Sequence, residues 1–302
     1  SDLNWKNAHI ILISTCVFLA CRSDFLWAQE DNLVDPEFTA FLSSARAYKN
    51  QDKNGLALNA LARAAAWAEE NENTQRAIDA DLMFAELYLD MGKDQMAETY
   101  FNRSTKLLDN ITYQSGRANN YYIEARLIYG AGNSFMALDA LKKAKRENNE
   151  RNLLNRITLL EGYIYSELPN SEEEAISRFN ALRENSDPYE KDHLKTEAHL
   201  ALAVLYTEQG EYQNAIQNGE EALRLAQANE FSKEYNEANR LLADLYQQTS
   251  QYQKAVAPLS ALLKLRDSVY TTDNKIAELE EADEVHYRNL TNQIAKLEEE
   301  KE

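Results

Sequence analysis

The residues able to do chemistry are few, and their spacing decides against catalysis. There are four histidines and two cysteines in 302 residues. His9 and both cysteines, Cys16 and Cys21, fall in the first 28 residues, so the body of the chain has no thiol for a nucleophile or a zinc-binding set. His193 and His199 stand six apart, which on a helix turns them about 240° from each other and denies them the shared face of an i,i+4 metal pair. His286 lies in a charged helical segment where a phosphoacceptor histidine could sit. Its surroundings, Glu284-Val285-His286-Tyr287-Arg288, lack the following Glu and Pro of such a box, and no nucleotide-binding glycines come after it. The sequence holds no Gly-rich phosphate loop, no Ser/His/Asp set and no G-x-S-x-G. Acidic pairs such as Glu220-Glu221 and Glu280-Glu281 read as solvated helix surface. The expectation is a non-enzymatic protein, with neither cofactor nor metal.

Composition narrows the class further. The chain is 44% apolar, enough for a large core, yet has only 8 Gly and 4 Pro to build turns, which favours helices over sheets. A formal charge of −18 argues against nucleic acid, where binding rests on neutralising phosphates with Lys and Arg. Residues 1–28 read as an export signal: Lys6 precedes the apolar run Ile10 to Ala20, which has the length of a signal core and is too short to span a bilayer. Two exits compete. Leu26-Trp27-Ala28 offers cleavage after Ala28, and Phe18-Leu19-Ala20-Cys21 resembles a lipobox that would leave Cys21 lipidated.

The chain repeats itself. From residue 196, TEAHLALAVLYTEQGEYQNAIQNGEEAL carries Leu202, Ala203, Tyr206, Gly210, Tyr212, Ala215 and Ala222, and the next unit echoes it with Leu242, Ala243, Tyr246, Tyr252 and Ala255. Earlier units are marked by Ala85, Tyr88, Gly92 and Ala97, by Ala125, Gly132, Ala137 and Ala144, and more weakly by Ala45, Tyr48, Ala57 and Ala64 and by Gly162, Tyr165, Ala175 and Phe179. One alanine recurs at 57, 97, 137, 175, 215 and 255, a period of 40 residues broken by a single step of 38. That step, with the Leu168-Pro169-Asn170 turn, marks the fourth unit as irregular. This pattern resembles the tetratricopeptide repeat (TPR), lengthened beyond its usual 34 residues by nearly a turn in each helix. The expected fold is all-α: an α-α superhelix of about six helix-turn-helix units over 35–268, whose small residues let antiparallel helices approach closely and whose neighbours stack to bury each other's apolar faces. These motif residues are packing, not a site.

The resemblance also implies where a partner would sit, because the first helix of each TPR unit lines the concave face. Carried over unit by unit, the groove positions fall on Arg46 and Lys49, then Tyr122, Arg126 and Tyr129, then Arg156 and Tyr163, and finally Arg240, Asp244 and Gln247. The second and fifth units add Leu82, Glu86 and Leu89, then Glu197 and Leu200. Arg and Tyr gathered along one face of an acidic protein suggest a protein or peptide guest that is acidic or presents a C-terminus, since Arg offers forked donors to carboxylates and Tyr offers rigid contact area. The chaperone-type carboxylate clamp does not fit, because Leu42 and Arg46 stand where it needs Lys and Asn.

Residues 272–302 change character. They contain no Gly or Pro and carry apolar seams at Ile276 and Leu279, then at Tyr287, Leu290, Ile294 and Leu297. The 11-residue step between seams is a stutter in a coiled coil, which offers a homodimer through 273–302. The whole layout resembles the periplasmic sensory part of TPR-containing membrane signalling proteins of Gram-negative bacteria, where the coil leads to a membrane helix. The rival is a soluble or lipid-anchored TPR adaptor of the envelope. A stretch of about 20 apolar residues encoded beyond Glu302 would favour the sensor.

Overall fold

Regular returns of small side chains, with turn formers between them, produce helices of similar length in chain order. A computed structural model describes residues 35–148, 150–184 and 191–270. Among these, twelve helices and no strands occur: α1 Pro36–Asn50, α2 Asn54–Glu70, α3 Thr74–Asp90, α4 Asp94–Leu108, α5 Gln114–Gly130, α6 Ser134–Glu147, α7 Arg151–Glu167, α8 Glu172–Arg183, α9 Lys191–Glu208, α10 Tyr212–Asn229, α11 Ser232–Gln248 and α12 Tyr252–Tyr270. Each odd-numbered helix packs on the even-numbered one after it, and each odd-numbered helix also touches the next odd-numbered one along the row from α1 to α11 or through its intervening partner. The result is a TPR-like helical solenoid. Residues 1–28, read above as an export signal, with Cys21, and the segment 272–302 expected to form a coiled coil lie outside the described residues.

The alanines of the 40-residue period lie inside this packing. Ala57, Ala97, Ala137, Ala175, Ala215 and Ala255 are all fully buried. The preceding helices carry small buried residues at the matching repeat position as well: Ala45, Ala85, Ala125, Ala203 and Ala243, with Gly162 in the fourth unit. A larger side chain at either position would push the helices beyond the roughly 8–10 Å axis separation that lets their ridges interlock.

The turn inside each hairpin is built the same way even where its glycine has gone. A residue with φ near +60° to +80° recurs as Asp52, Gly92, Gly132, Asn170, Gly210 and Ser250. After it, the N–H of Lys53, Lys93, Asn133, Glu211 or Gln251 donates back to the carbonyl of Tyr48, Tyr88, Ile128, Tyr206 or Tyr246, at 2.7–3.1 Å. These are Schellman closures, which satisfy a carbonyl that the helix end would otherwise leave open. The irregular fourth unit departs as its sequence suggests: Leu168 is extended ahead of Pro169, and α8 has 12 residues.

That unit is also tightly fitted. A β-carbon on Gly162 would lie 2.5 Å from the ring of Phe179, which is fully buried and packs edge-on against Tyr163 at 5.4 Å between centroids. Phe179 supplies the bulk that Gly162 leaves out. Gly162→Ala is therefore expected to destabilise the protein by about 1–3 kcal/mol through overpacking, measured as a fall in the urea midpoint at unchanged slope.

Candidate functional site

The odd-numbered helices turn their inner faces toward a common centre. They line an open cavity of about 390 Å³ with residues from α1, α3, α5, α7, α9 and α11. The curl of the solenoid brings the α1–α2 turn beside the α10–α11 turn, where Lys53 Nζ stands 3.6 Å from Glu230 Oε2. Both side chains are exposed, so this pair stabilises little. It does fix the geometry, with the first hairpin facing the fifth across the hollow.

An ion network fills the α1–α7 side. Glu86 and Asp90, four residues apart on α3, share a face and collect cations from three other helices. Lys49 Nζ of α1 donates to Glu86 Oε1 at 3.0 Å and to Asp90 Oδ2 at 3.1 Å. Arg126 Nη2 of α5 donates to Asp90 Oδ1 at 2.8 Å, and Arg156 Nη2 of α7 donates to Glu86 Oε2. The Arg156 guanidinium also lies over the Tyr122 ring, 4.5 Å from its centroid. Burial alone would raise the Glu86 carboxyl; Arg156, then Lys49, Arg126 and Arg46, outweigh it and hold the group well below the usual carboxylate range. Asp90 is lowered in the same way, burial being overcome chiefly by Lys49 and Arg126.

The α9–α11 side has different chemistry. His193 Nε2 lies 3.4 Å from Glu234 Oε1, and its ring stands perpendicular to Phe231 at 5.1 Å. Glu197, one turn along α9 from His193, completes a trio whose donor atoms all lie within 4.8 Å of one another. Burial raises the Glu197 carboxyl, with His193 opposing and Glu234 adding to the rise. Glu234 moves the other way: burial would raise it, but the hydrogen bond and charge of His193, its own backbone N–H and Lys233 lower it. Tyr163, on the same cavity wall, is pushed well above the ordinary tyrosine value by burial and then by Glu197, Glu237 and Glu234.

Of the groove residues expected from the sequence, Lys49, Tyr122, Arg126, Tyr129, Arg156 and Tyr163 come together in this cavity. Arg46 lines a neighbouring hollow of about 460 Å³, which shares Glu86 and Arg156 with the first. Arg240, Asp244 and Gln247 of α11 lie outside the lining of both. The tyrosines are also partly engaged: Tyr122 is buried, and the Tyr129 hydroxyl donates to Glu167 Oε1 at 2.6 Å. His199 turns away from the cavity, with Nδ1 2.9 Å from Asn218 Oδ1 of α10, as its six-residue offset from His193 requires.

Sequence reasoning missed two things. Glu86 appeared only as a groove position and Asp90 not at all, so the neutralisation of Lys49, Arg126 and Arg156 went unseen. His193 was weighed against His199, whereas its spatial neighbours are Glu197 and Glu234. The His193–Glu197 half was legible as an i,i+4 pair; Glu234, from the next hairpin, was not.

Comparisons with known proteins agree with the architecture. The tetratricopeptide-repeat family model matches residues 196–229, which run from α9 into the end of α10. No curated protein sequence matches the chain. In the crystal structure of a signal transduction ATPase with numerous domains (STAND), a protein with a tetratricopeptide repeat sensor from Pyrococcus horikoshii, the similar region has a TM-score of 0.53 and 17% identity. The match covers 87% of this chain and 42% of that one, so this chain spans less than half of that protein's length. The likeness is one of fold. TPR solenoids generally mediate protein interactions, and this chain has such a scaffold.

The ion network yields a stability prediction. Glu86→Gln leaves Lys49 and Arg156 facing each other with half their countercharge gone, and should cost about 3–5 kcal/mol, the range for breaking a buried pair. Because the Glu86 and Asp90 carboxyls titrate below their unfolded values, their stabilisation is complete at neutral pH. It is lost as pH falls below about 4, where the unfolded chain takes up protons first. Urea midpoints measured from pH 7 to pH 3 should fall steeply in the wild type and less steeply in Glu86→Gln.

Proposed function

We propose that the chain is a non-enzymatic TPR scaffold that holds a segment of a partner protein in the central cavity. The observation that carries this reading is the cavity itself: an open hollow on the concave side, lined chiefly by the six odd-numbered helices and of the size that takes a short peptide segment. Its charge revises the kind of guest. The cations that suggested an acidic peptide are already paired, and the lining sets Asp52, Glu86, Asp90, Asp94, Glu197 and Glu234 against Lys49, Arg126, Arg156 and Lys233. A basic segment or a free N-terminal amine matches that excess, while an acidic tail would meet like charge.

For biological context, the favoured reading is the extracytoplasmic sensing or interaction region of a bacterial signal-transduction protein. The signal-like residues 1–28, the coil-like 272–302 and the TPR sensor named in the STAND neighbour support it. The second reading, an envelope adaptor that is soluble or lipid-anchored through Cys21, is favoured by Phe18-Leu19-Ala20-Cys21. The reading frame beyond Glu302 separates them.

The cavity assignment is tested with the full chain on an array of short peptides that vary in net charge. Basic peptides should bind best, more weakly with added salt, and Leu89→Arg, which places a cation in the lining, should reduce their binding at least tenfold with helicity unchanged. Preference for acidic peptides, or binding indifferent to Leu89→Arg, would remove the cavity as the site.

A further inference from the structure

The trio on the α9–α11 wall has the makings of a metal site. His193 and Glu197 project from one face of α9 because they are four residues apart, and Glu234 reaches them from the first turn of α11. One donor atom from each falls within 4.8 Å of the other two, and the His193–Glu234 pair is at 3.4 Å. Zinc bonds of about 2.0–2.1 Å to nitrogen and oxygen place tetrahedral ligands roughly 3.3 Å from one another. The first pair thus already has the right separation, and a small swing of Glu197 would close the set.

Two further features favour a ligand over a plain ion pair. Among the described residues the Glu197 carboxylate has no hydrogen-bonding partner, although it sits on the cavity wall beside a buried second carboxylate, Glu234. The imidazole is held edge-on by Phe231, the capping residue just before the helix that carries Glu234, so the elements that carry the donors also fix their directions. The cation nearest in sequence, Lys233, is exposed and acts on both carboxylates only at a distance, with no ion pair to either within 4.0 Å among the described residues.

We propose that His193, Glu197 and Glu234 bind one divalent transition-metal ion of the zinc class, tying α9 to α11 with its remaining coordination facing the cavity. The donor set selects the class. An imidazole with two carboxylates suits zinc, whereas calcium and magnesium prefer all-oxygen shells with more ligands.

The test uses the full chain with Cys16→Ser and Cys21→Ser, which removes the thiols, stripped with chelator and titrated with zinc against a chromophoric competitor. One zinc per chain should bind, and the melting temperature should rise with zinc concentration. Glu197→Gln and His193→Ala should each weaken zinc binding at least tenfold; because the Glu197 carboxylate has no hydrogen bond to lose among the described residues, Glu197→Gln should melt close to the parent protein when zinc is absent. No stoichiometric zinc uptake, uptake that survives both substitutions, or displacement by equimolar calcium or magnesium would each overturn the assignment. The readout is the metal itself, so the result is independent of which peptide the cavity takes.

Discussion

Close approach between helices at a repeated small residue is the constraint on which the rest of the structure rests. The alanine at 57, 97, 137, 175, 215 and 255 has no accessible surface in any unit, and the helix before each carries an alanine or a glycine at the matching repeat position. Dispersion is lost quickly when surfaces separate by even a fraction of an ångström. Such a contact therefore sets the distance and angle of every hairpin, and nearly identical hairpins stacked in series must curl. The curl brings the α1–α2 turn to the α10–α11 turn and gathers the inner faces of six helices around one hollow. The cavity is thus a consequence of packing at residues that never touch it.

That convergence has an electrostatic cost, and the two sides of the hollow meet it differently. Carboxylates on α3 that would be ordinary surface groups on an isolated hairpin come within reach of α1, α5 and α7, and cations from those helices neutralise them. Long-range ion pairs of this kind link helices far apart in sequence: Arg156 and Glu86 are separated by 70 positions. Elsewhere the same device stitches neighbouring hairpins together. Glu161 of α7 accepts from Lys145 of α6 at 2.6 Å and from Arg178 of α8 at 3.0 Å, and Tyr113 donates to Asp79 at 2.7 Å.

How much could be read from the sequence follows from the range of each interaction. The helical hairpins were legible because their determinants are local and periodic: a buried alanine every 40 residues, a tyrosine before the turn, and a turn residue after it. The turn conformation persists at Asp52 and Ser250, where no glycine announces it, because the Schellman hydrogen bonds hold it, and at Asn170, where only a shorter turn bond from the Ser171 N–H to the Leu168 carbonyl closes the loop. Nine of the groove positions carried over from the repeat, Glu86, Leu89 and Glu197 among them, do reach the central cavity, since the first helix of each hairpin faces inward whatever the curvature. Arg240, Asp244 and Gln247 do not, because which part of a helix meets the cavity depends on how tightly the solenoid curls, and that is a property of all the stacked interfaces together. Charge pairing is the least local quantity of all. A list of groove cations contains no sign that Glu86 and Asp90 will meet them.

The compensated α1–α7 side and the less compensated α9–α11 side should not contribute equally to recognition. Where every cation already has a carboxylate at hydrogen-bond distance, a guest charge must displace an existing bond to make a new one, and the exchange gains little. Where carboxylates outnumber their fixed partners, as at Glu197 and Glu234, an incoming cation gains the whole interaction. The first side therefore acts as a stiff wall that sets the shape of the hollow, and the second supplies the electrostatic demand. Tyr163 lies between them, with Phe179 and the absent side chain of Gly162 directly behind it. The most irregular unit of the array thus stands where the wall changes its chemistry, and the fit at Gly162 sets the position of the ring that separates the two sides.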